Sequence, residues 1–167
     1  MTVRHKCFLS YHRADKGAVD TFIEKFEGAF IRRGIQMEED IIDSDNTDYV
    51  MQRIRTLYLK DSTVTIVLIG KCTWARRFVD WEVQASLRKP RDGPPPNGLL
   101  AIQLWESYKT LPNRVKLNVD SGYAKFYAYP SSTRRLAAIV DEAFDARSDK
   151  ADLIENPRDR FRHNRQC

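Results

Sequence analysis

Cysteine and glycine are scarce in this chain, and both shortages narrow what it can be. Only three cysteines and seven glycines occur among 167 residues. Cys7, Cys72 and Cys167 are an odd set at wide spacing with no CxxC pair. Neither a disulfide framework nor a zinc site is expected, and a reducing cytoplasm is the simplest compartment. Glycine is missing where phosphate-binding loops require it. There is no GxxxxGK[ST], and no GxGxxG follows the first strand, so nucleotide cradles of those two kinds are excluded. A GxSxG elbow is also absent, which removes the usual serine hydrolase. No apolar run is long enough to span a membrane. The start, Met1 to Lys6, leads into an apolar stretch too short for a signal-peptide core, so neither export nor a membrane partner is expected.

Apolar residues make up 42% of the chain, enough for one well-packed domain. The net charge of +5 is not gathered on a recognisable nucleic-acid motif, so a mildly basic surface is the simpler reading. Residues 1–147 read as the domain. Residues 148–167 read as a basic, flexible or loosely docked tail, with four arginines between Asn156 and Gln166. A role for that tail on nucleic acid is the weakest reading of it.

Cys7–Ser10 reads as a short buried strand. Val19, Phe22, Ile23, Phe26 and Phe30 recur at helical spacing, which predicts a helix over 16–33 closed by Gly34. Ile35–Met37 reads as a weak second strand. Six acidic residues then crowd between Glu38 and Asp48; a solvated turn explains them without a metal. Thr47 or a neighbour caps a helix over 48–58. Val64–Ile69 is the clearest strand, continuously apolar and β-branched as in a central parallel strand. A helix over 78–88, a strand over 99–104, an irregular stretch over 105–123, an edge strand over 125–129 and a last helix capped by Ser131 or Ser132 complete the chain. This alternation predicts a flavodoxin-like three-layer α/β sandwich, with a mostly parallel sheet of about five strands and helices on both faces.

In such sheets, ligands bind beyond the carboxyl ends of the strands at the switch point. Ser10-Tyr11-His12-Arg13, the acidic loop and Lys71–Glu82 should therefore frame any site. A receiver domain is excluded there, because Ser10-Tyr11-His12 and Gly70-Lys71-Cys72 stand where it would carry its aspartates.

Three segments carry a resemblance: Phe8-Leu9-Ser10-Tyr11-His12-Arg13-Ala14-Asp15, Ser62 through Gly70, and Arg76-Arg77-Phe78-Val79-Asp80-Trp81-Glu82. In this order and spacing they resemble the TIR-like family. The double arginine, the aromatic before the glutamate and Gly70 in place of serine look most like the TIR-like subunits of bacterial Thoeris anti-phage systems. The resemblance covers residues 6–88. It implies cleavage of the nicotinamide–ribose bond of NAD, as substrate with no separate cofactor. It also implies a cyclic or otherwise modified ADP-ribose signal for a downstream effector protein, and self-association on activation. Glu82 is carried over as catalytic, and Phe8, Ser10 and Trp74 as pocket-lining residues. The loop after the second strand lacks the glycine-containing pattern of animal TIR domains.

The chemistry suits these residue types. Nicotinamide leaves from a pyridinium and needs no proton, so one carboxylate can suffice where glycosidases use two. Tyr11 and Trp74 can stack on a base, and Arg76 and Arg77 can meet the pyrophosphate. The blander assignments are a packing aromatic for Trp81, a loop residue for His12 and a core residue for Cys7. Cys72 lies near the proposed pocket without a histidine close in sequence, so it is not read as a nucleophile. The alternative to an enzyme is a non-catalytic TIR-like adaptor that binds other proteins.

Overall fold

Strands and helices alternate along the chain because apolar period and turn chemistry alternate. The structure, a computed structural model, describes residues 3–35, 44–89 and 92–167. Five parallel strands form one sheet: β1 (Lys6–Ser10), β2 (Ile31–Arg32), β3 (Val64–Ile69), β4 (Gly98–Gln103) and β5 (Lys125–Tyr127). Their order across the sheet is β2-β1-β3-β4-β5. β3 is buried at all six positions, as its β-branched run predicts for a strand covered on both faces. Register along the centre is Ser10 against Val67 and Ile69 against Gln103.

Among the described residues, five α-helices cover the sheet: α1 (Lys16–Phe26), α2 (Thr47–Ile54), α3 (Arg77–Leu87), α4 (Asn113–Ser121) and α5 (Thr133–Asp149). α1 and α5 bury Phe22, Phe26, Leu136 and Val140 against Cys7, Leu9, Ile66 and Leu100 on one face. On the other face, α3 and α4 set Val79, Val83 and Val115 against Val67, Ile69 and Leu99. There, too, α2 and α3 enclose Phe8 between Val50, Ile54 and Trp81. Asn46 caps α2 by accepting from the Tyr49 amide at 3.2 Å, and Ser132 caps α5 by accepting from the Arg135 amide at 3.0 Å, both as short polar side chains do at this position.

Three local expectations fail. The first helix ends at Phe26 rather than near Arg33, and β2 lies at Ile31–Arg32. There the Ile31 and Arg33 amides donate to the His5 and Cys7 carbonyls at 2.8 Å, so sheet pairing overrides the helical spacing that Phe30 prolonged. Gly34, at φ +78°, closes this strand rather than the helix. Of the expected strand, Gln36 and Met37 lie outside the described residues, as do residues 38–43 of the acidic loop. α2 is followed by a π turn over Arg55–Leu59. The stretch read as irregular contains α4, whose buried positions are Arg114, Val115 and Asn118. Two polar residues on the inward face had masked its apolar stripe.

The cysteines also depart from expectation, since Cys72 and Cys167 form a disulfide. Their Cα atoms lie 5.6 Å apart, within the range a disulfide requires. A sequence separation of 95 residues had concealed the pairing. The tail expected from residue 148 begins inside α5 and then follows a defined course back over α3 to Cys72. No helix among the described residues is long and apolar enough to cross a membrane.

Candidate functional site

β1 and β3 are neighbours whose chain connections lead to opposite sides of the sheet, so the switch point lies between their carboxyl ends. α3 passes directly over it. The helical period sorts this helix into faces. Val79, Val83 and Leu87 join the β3–β4 core, and Trp81 and Ala85 meet α2. Asp80 and Gln84 meet the C-terminal segment. Glu82 and Ser86 turn toward the sheet.

Glu82 is 0% exposed. The Ser10 hydroxyl at the end of β1 donates to Glu82 Oε1 at 2.9 Å. One turn further along α3, the Ser86 hydroxyl donates to the Glu82 carbonyl at 2.8 Å and shares a 2.7 Å hydrogen bond with Thr65 Oγ1 on β3. Asn97 Nδ2 donates in turn to Thr65 Oγ1 and Ser62 Oγ, each at 3.1 Å. A buried polar seam thus runs from Glu82 between helix and sheet. Seams of this kind fix a geometry because a broken member leaves a buried group unsatisfied. Ser86, Thr65 and Asn97 escaped the sequence reading. The signal available for them was the four-residue spacing of Glu82 and Ser86, together with a threonine in an otherwise aliphatic strand.

The residues singled out from sequence separate into groups. Ser10 and Glu82 are brought together. Phe8, 1% exposed, lies two residues before Ser10 on the same strand face, packed with Val50, Met51 and Trp81 as a wall of the core. Tyr11, 5% exposed, packs in the cluster with Val19 and Phe22. Trp74 is half-buried in the short turn Thr73–Ala75 that follows β3. Trp81 is a packing aromatic, 2% exposed, and its indole N–H donates to the Phe161 carbonyl at 2.6 Å.

Arg76 and Arg77 stand at the start of α3 beside the switch point, and the C-terminal segment engages both. Arg76 Nη2 donates to the Arg165 carbonyl at 2.8 Å, and Arg77 Nη1 to the Arg162 carbonyl at 3.2 Å. Asn164 Oδ1 accepts from the Arg77 amide at 2.9 Å, satisfying a helix N-terminus that its own N-cap residue leaves open.

At the rim, Asp15 lies so close to Gly70 that a Cβ there would fall 2.1 Å from Asp15 Oδ2. This explains glycine at the end of β3. Burial raises the Asp15 carboxyl above its ordinary value, and neighbouring His12 partly opposes that. Burial, and then the Arg76 guanidinium, hold the His12 imidazole below its ordinary value against the pull of Asp15. Among the described residues, no three His, Cys, Asp or Glu side chains converge where a metal could sit. A cavity of about 260 Å³ lies at the β5 edge, lined by Tyr123, Lys125, Tyr127, Glu142 and neighbours. It shares no lining residue with the Glu82 site.

A parallel α/β sheet with a buried carboxylate over its switch point defines a flavodoxin-like domain of the TIR-like class. The sequence matches the family described as "Thoeris protein ThsB, TIR-like domain" over residues 8–109, more than half of the chain, and the protein belongs to that family. No curated protein matches the chain.

Proposed function

We propose that the protein cleaves the nicotinamide–ribose bond of NAD, with Glu82 as the catalytic carboxylate. In this reading it releases nicotinamide and makes a cyclic or otherwise modified ADP-ribose that signals to an effector protein in bacterial anti-phage defence. The observation that carries the reading is a glutamate at 0% exposure, hydrogen-bonded to Ser10 at the switch point of the sheet. Taking a carboxylate out of water costs several kcal/mol, which a glutamate without a role would escape by lying at the surface. Membership of the TIR-like family supports a catalytic role for Glu82.

The chemistry assigned to it is electrostatic. Positive charge builds on the ribose as the pyridinium departs, and a carboxylate beside it in a water-poor site stabilises that charge more strongly than it could in solvent. Nicotinamide leaves neutral and takes no proton. Ser10 holds one carboxylate oxygen. Arg76 and Arg77, one helical turn and more before Glu82, take the pyrophosphate as charge-assisted donors. Trp74 offers a ring to a base. Activity accompanies self-association in a cytoplasmic setting.

The observation that favours the adaptor reading is the same burial seen from outside, because substrate does not reach a carboxylate with no exposed surface. Incubating concentrated protein with NAD, followed by chromatography and mass spectrometry, separates the two. The enzyme reading expects nicotinamide and an ADP-ribose product. NAD left intact by assembled and disassembled protein alike, oxidised and reduced, defeats it.

A further inference from the structure

The arginine-rich tail and the acidic loop are the two sequence features that the proposed activity leaves unused, and the structure joins them. Arg158 pairs with Asp48 at 3.2 Å and Arg162 with Asp45 at 3.8 Å. Further along, the Arg165 amide donates to the Ala75 carbonyl at 2.9 Å. The segment ends in the disulfide to Cys72, three residues past the end of β3. Its course thus crosses the outer face of α3 and finishes on the rim of the switch point.

We infer that residues 155–167 form a strap that closes the approach to Glu82, and that the Cys72–Cys167 disulfide latches it. The inference takes its substrate from the NAD-cleaving reading. Its central argument is competition for donors. The guanidiniums that would meet a pyrophosphate donate to the strap carbonyls of Arg165 and Arg162, so the strap takes up donors of both that the substrate would use. With the strap in place, Glu82 has no exposed surface. The strap is anchored at its start, where Arg114 donates to the Pro157 and Asp159 carbonyls, and it is exposed from Arg162 to Cys167. An exposed segment held by polar contacts opens locally at low cost, and the covalent bond raises that cost for this end of the strap.

Release is a thiol–disulfide exchange with a dithiol reductant. Cys167 is exposed and open to attack. A thiolate of the reductant forms a mixed disulfide with one cysteine and expels the other as thiolate. The reductant's second thiolate then closes on its own mixed disulfide and expels the remaining cysteine. The two electrons come from the dithiol, which ends as a disulfide. Cys72 and Cys167 end as thiols.

The test uses the full chain in three forms: oxidised, reduced with dithiothreitol, and carrying Cys167→Ser. Hydrogen exchange follows the Phe161 and Arg165 amides. Calorimetry follows inorganic pyrophosphate as probe, and nicotinamide release is measured alongside. In both unlatched forms, exchange at the two amides should quicken at least tenfold and pyrophosphate should bind at least tenfold more tightly. The binding gain should vanish when Arg76→Gln and Arg77→Gln are added. Nicotinamide release should rise with unlatching and be absent with Glu82→Gln. Unchanged exchange in both unlatched forms, or equal pyrophosphate affinity in latched and unlatched protein, overturns the strap. If exchange and pyrophosphate behave as expected while no form releases nicotinamide, the strap stands and the NAD reading falls.

Discussion

Replacing Arg114 with methionine removes the polar anchor between α4 and the C-terminal segment. Arg114 is 4% exposed and its Nε donates to Asp80 Oδ1 at 3.0 Å. Its other nitrogens donate to Asn156 Oδ1 at 2.9 Å, to the Pro157 carbonyl at 2.7 Å and to the Asp159 carbonyl at 2.6 Å. Asp80, itself 5% exposed, also accepts from the Phe161 amide at 2.9 Å. The variant leaves the Asp80 charge buried without its cation. Breaking a buried pair from one side costs about 3–5 kcal/mol. For a chain of this size that corresponds to a fall in Tm of about 6–20 °C. Urea denaturation of the oxidised protein measures the loss. Asp80→Leu combined with Arg114→Met removes both charges and should lose less than the two single losses added together, with a coupling of about 1–3 kcal/mol. A loss under about 1 kcal/mol for Arg114→Met, or strict additivity in the double variant, refutes the claim that this pair is a desolvated anchor.

Other expectations follow from the same contacts. The carboxyl of Asp15 is raised by burial, so the folded state holds that proton more tightly than the unfolded one. Its contribution to stability therefore falls as pH rises from the ordinary carboxylate range. Asp15→Asn should stabilise the protein at pH 7, with the gain closing as pH falls toward 4; denaturation against pH measures this, and a pH-independent effect contradicts it. His12 is held below its ordinary value, so its contribution is lost as pH falls through about 6.5, and His12→Gln should flatten that limb of the profile. Burial pushes the Cys7 thiol far up, so mass spectrometry after alkylation of the reduced, folded protein at pH 8 should find Cys72 and Cys167 labelled and Cys7 untouched. A Cβ at Gly98 would fall 2.0 Å from the Ala143 carbonyl oxygen. Because that obstacle is backbone, Gly98→Ala should cost about 3 kcal/mol or more by urea denaturation.

Much of the layer architecture was legible because burial on both faces writes a continuous apolar run. β3 reads at once for that reason; of the caps expected at Thr47 or a neighbour and at Ser131 or Ser132, the first falls on Asn46 and the second on Ser132. Glu82 was singled out through its arginine–aromatic context, and it lies buried against Ser10. What stayed hidden depends on contacts distant in sequence. α4 buries Arg114 and Asn118, whose partners lie 34 to 45 residues away, so no periodic stripe betrays it. The Cys72–Cys167 bridge and the course of the tail over α3 belong to the same class.

In the proposed reaction the carboxylate of Glu82 acts on the ribose of NAD. Single-turnover release of nicotinamide by unlatched wild-type protein and by the unlatched Glu82→Gln variant, both verified as folded, tests this most directly. Glutamine keeps the shape and an acceptor for Ser10 but removes the charge, so release by the variant should be at least a thousandfold slower, a loss of about 4 kcal/mol in transition-state stabilisation. Release by Glu82→Gln at the wild-type rate would contradict the account.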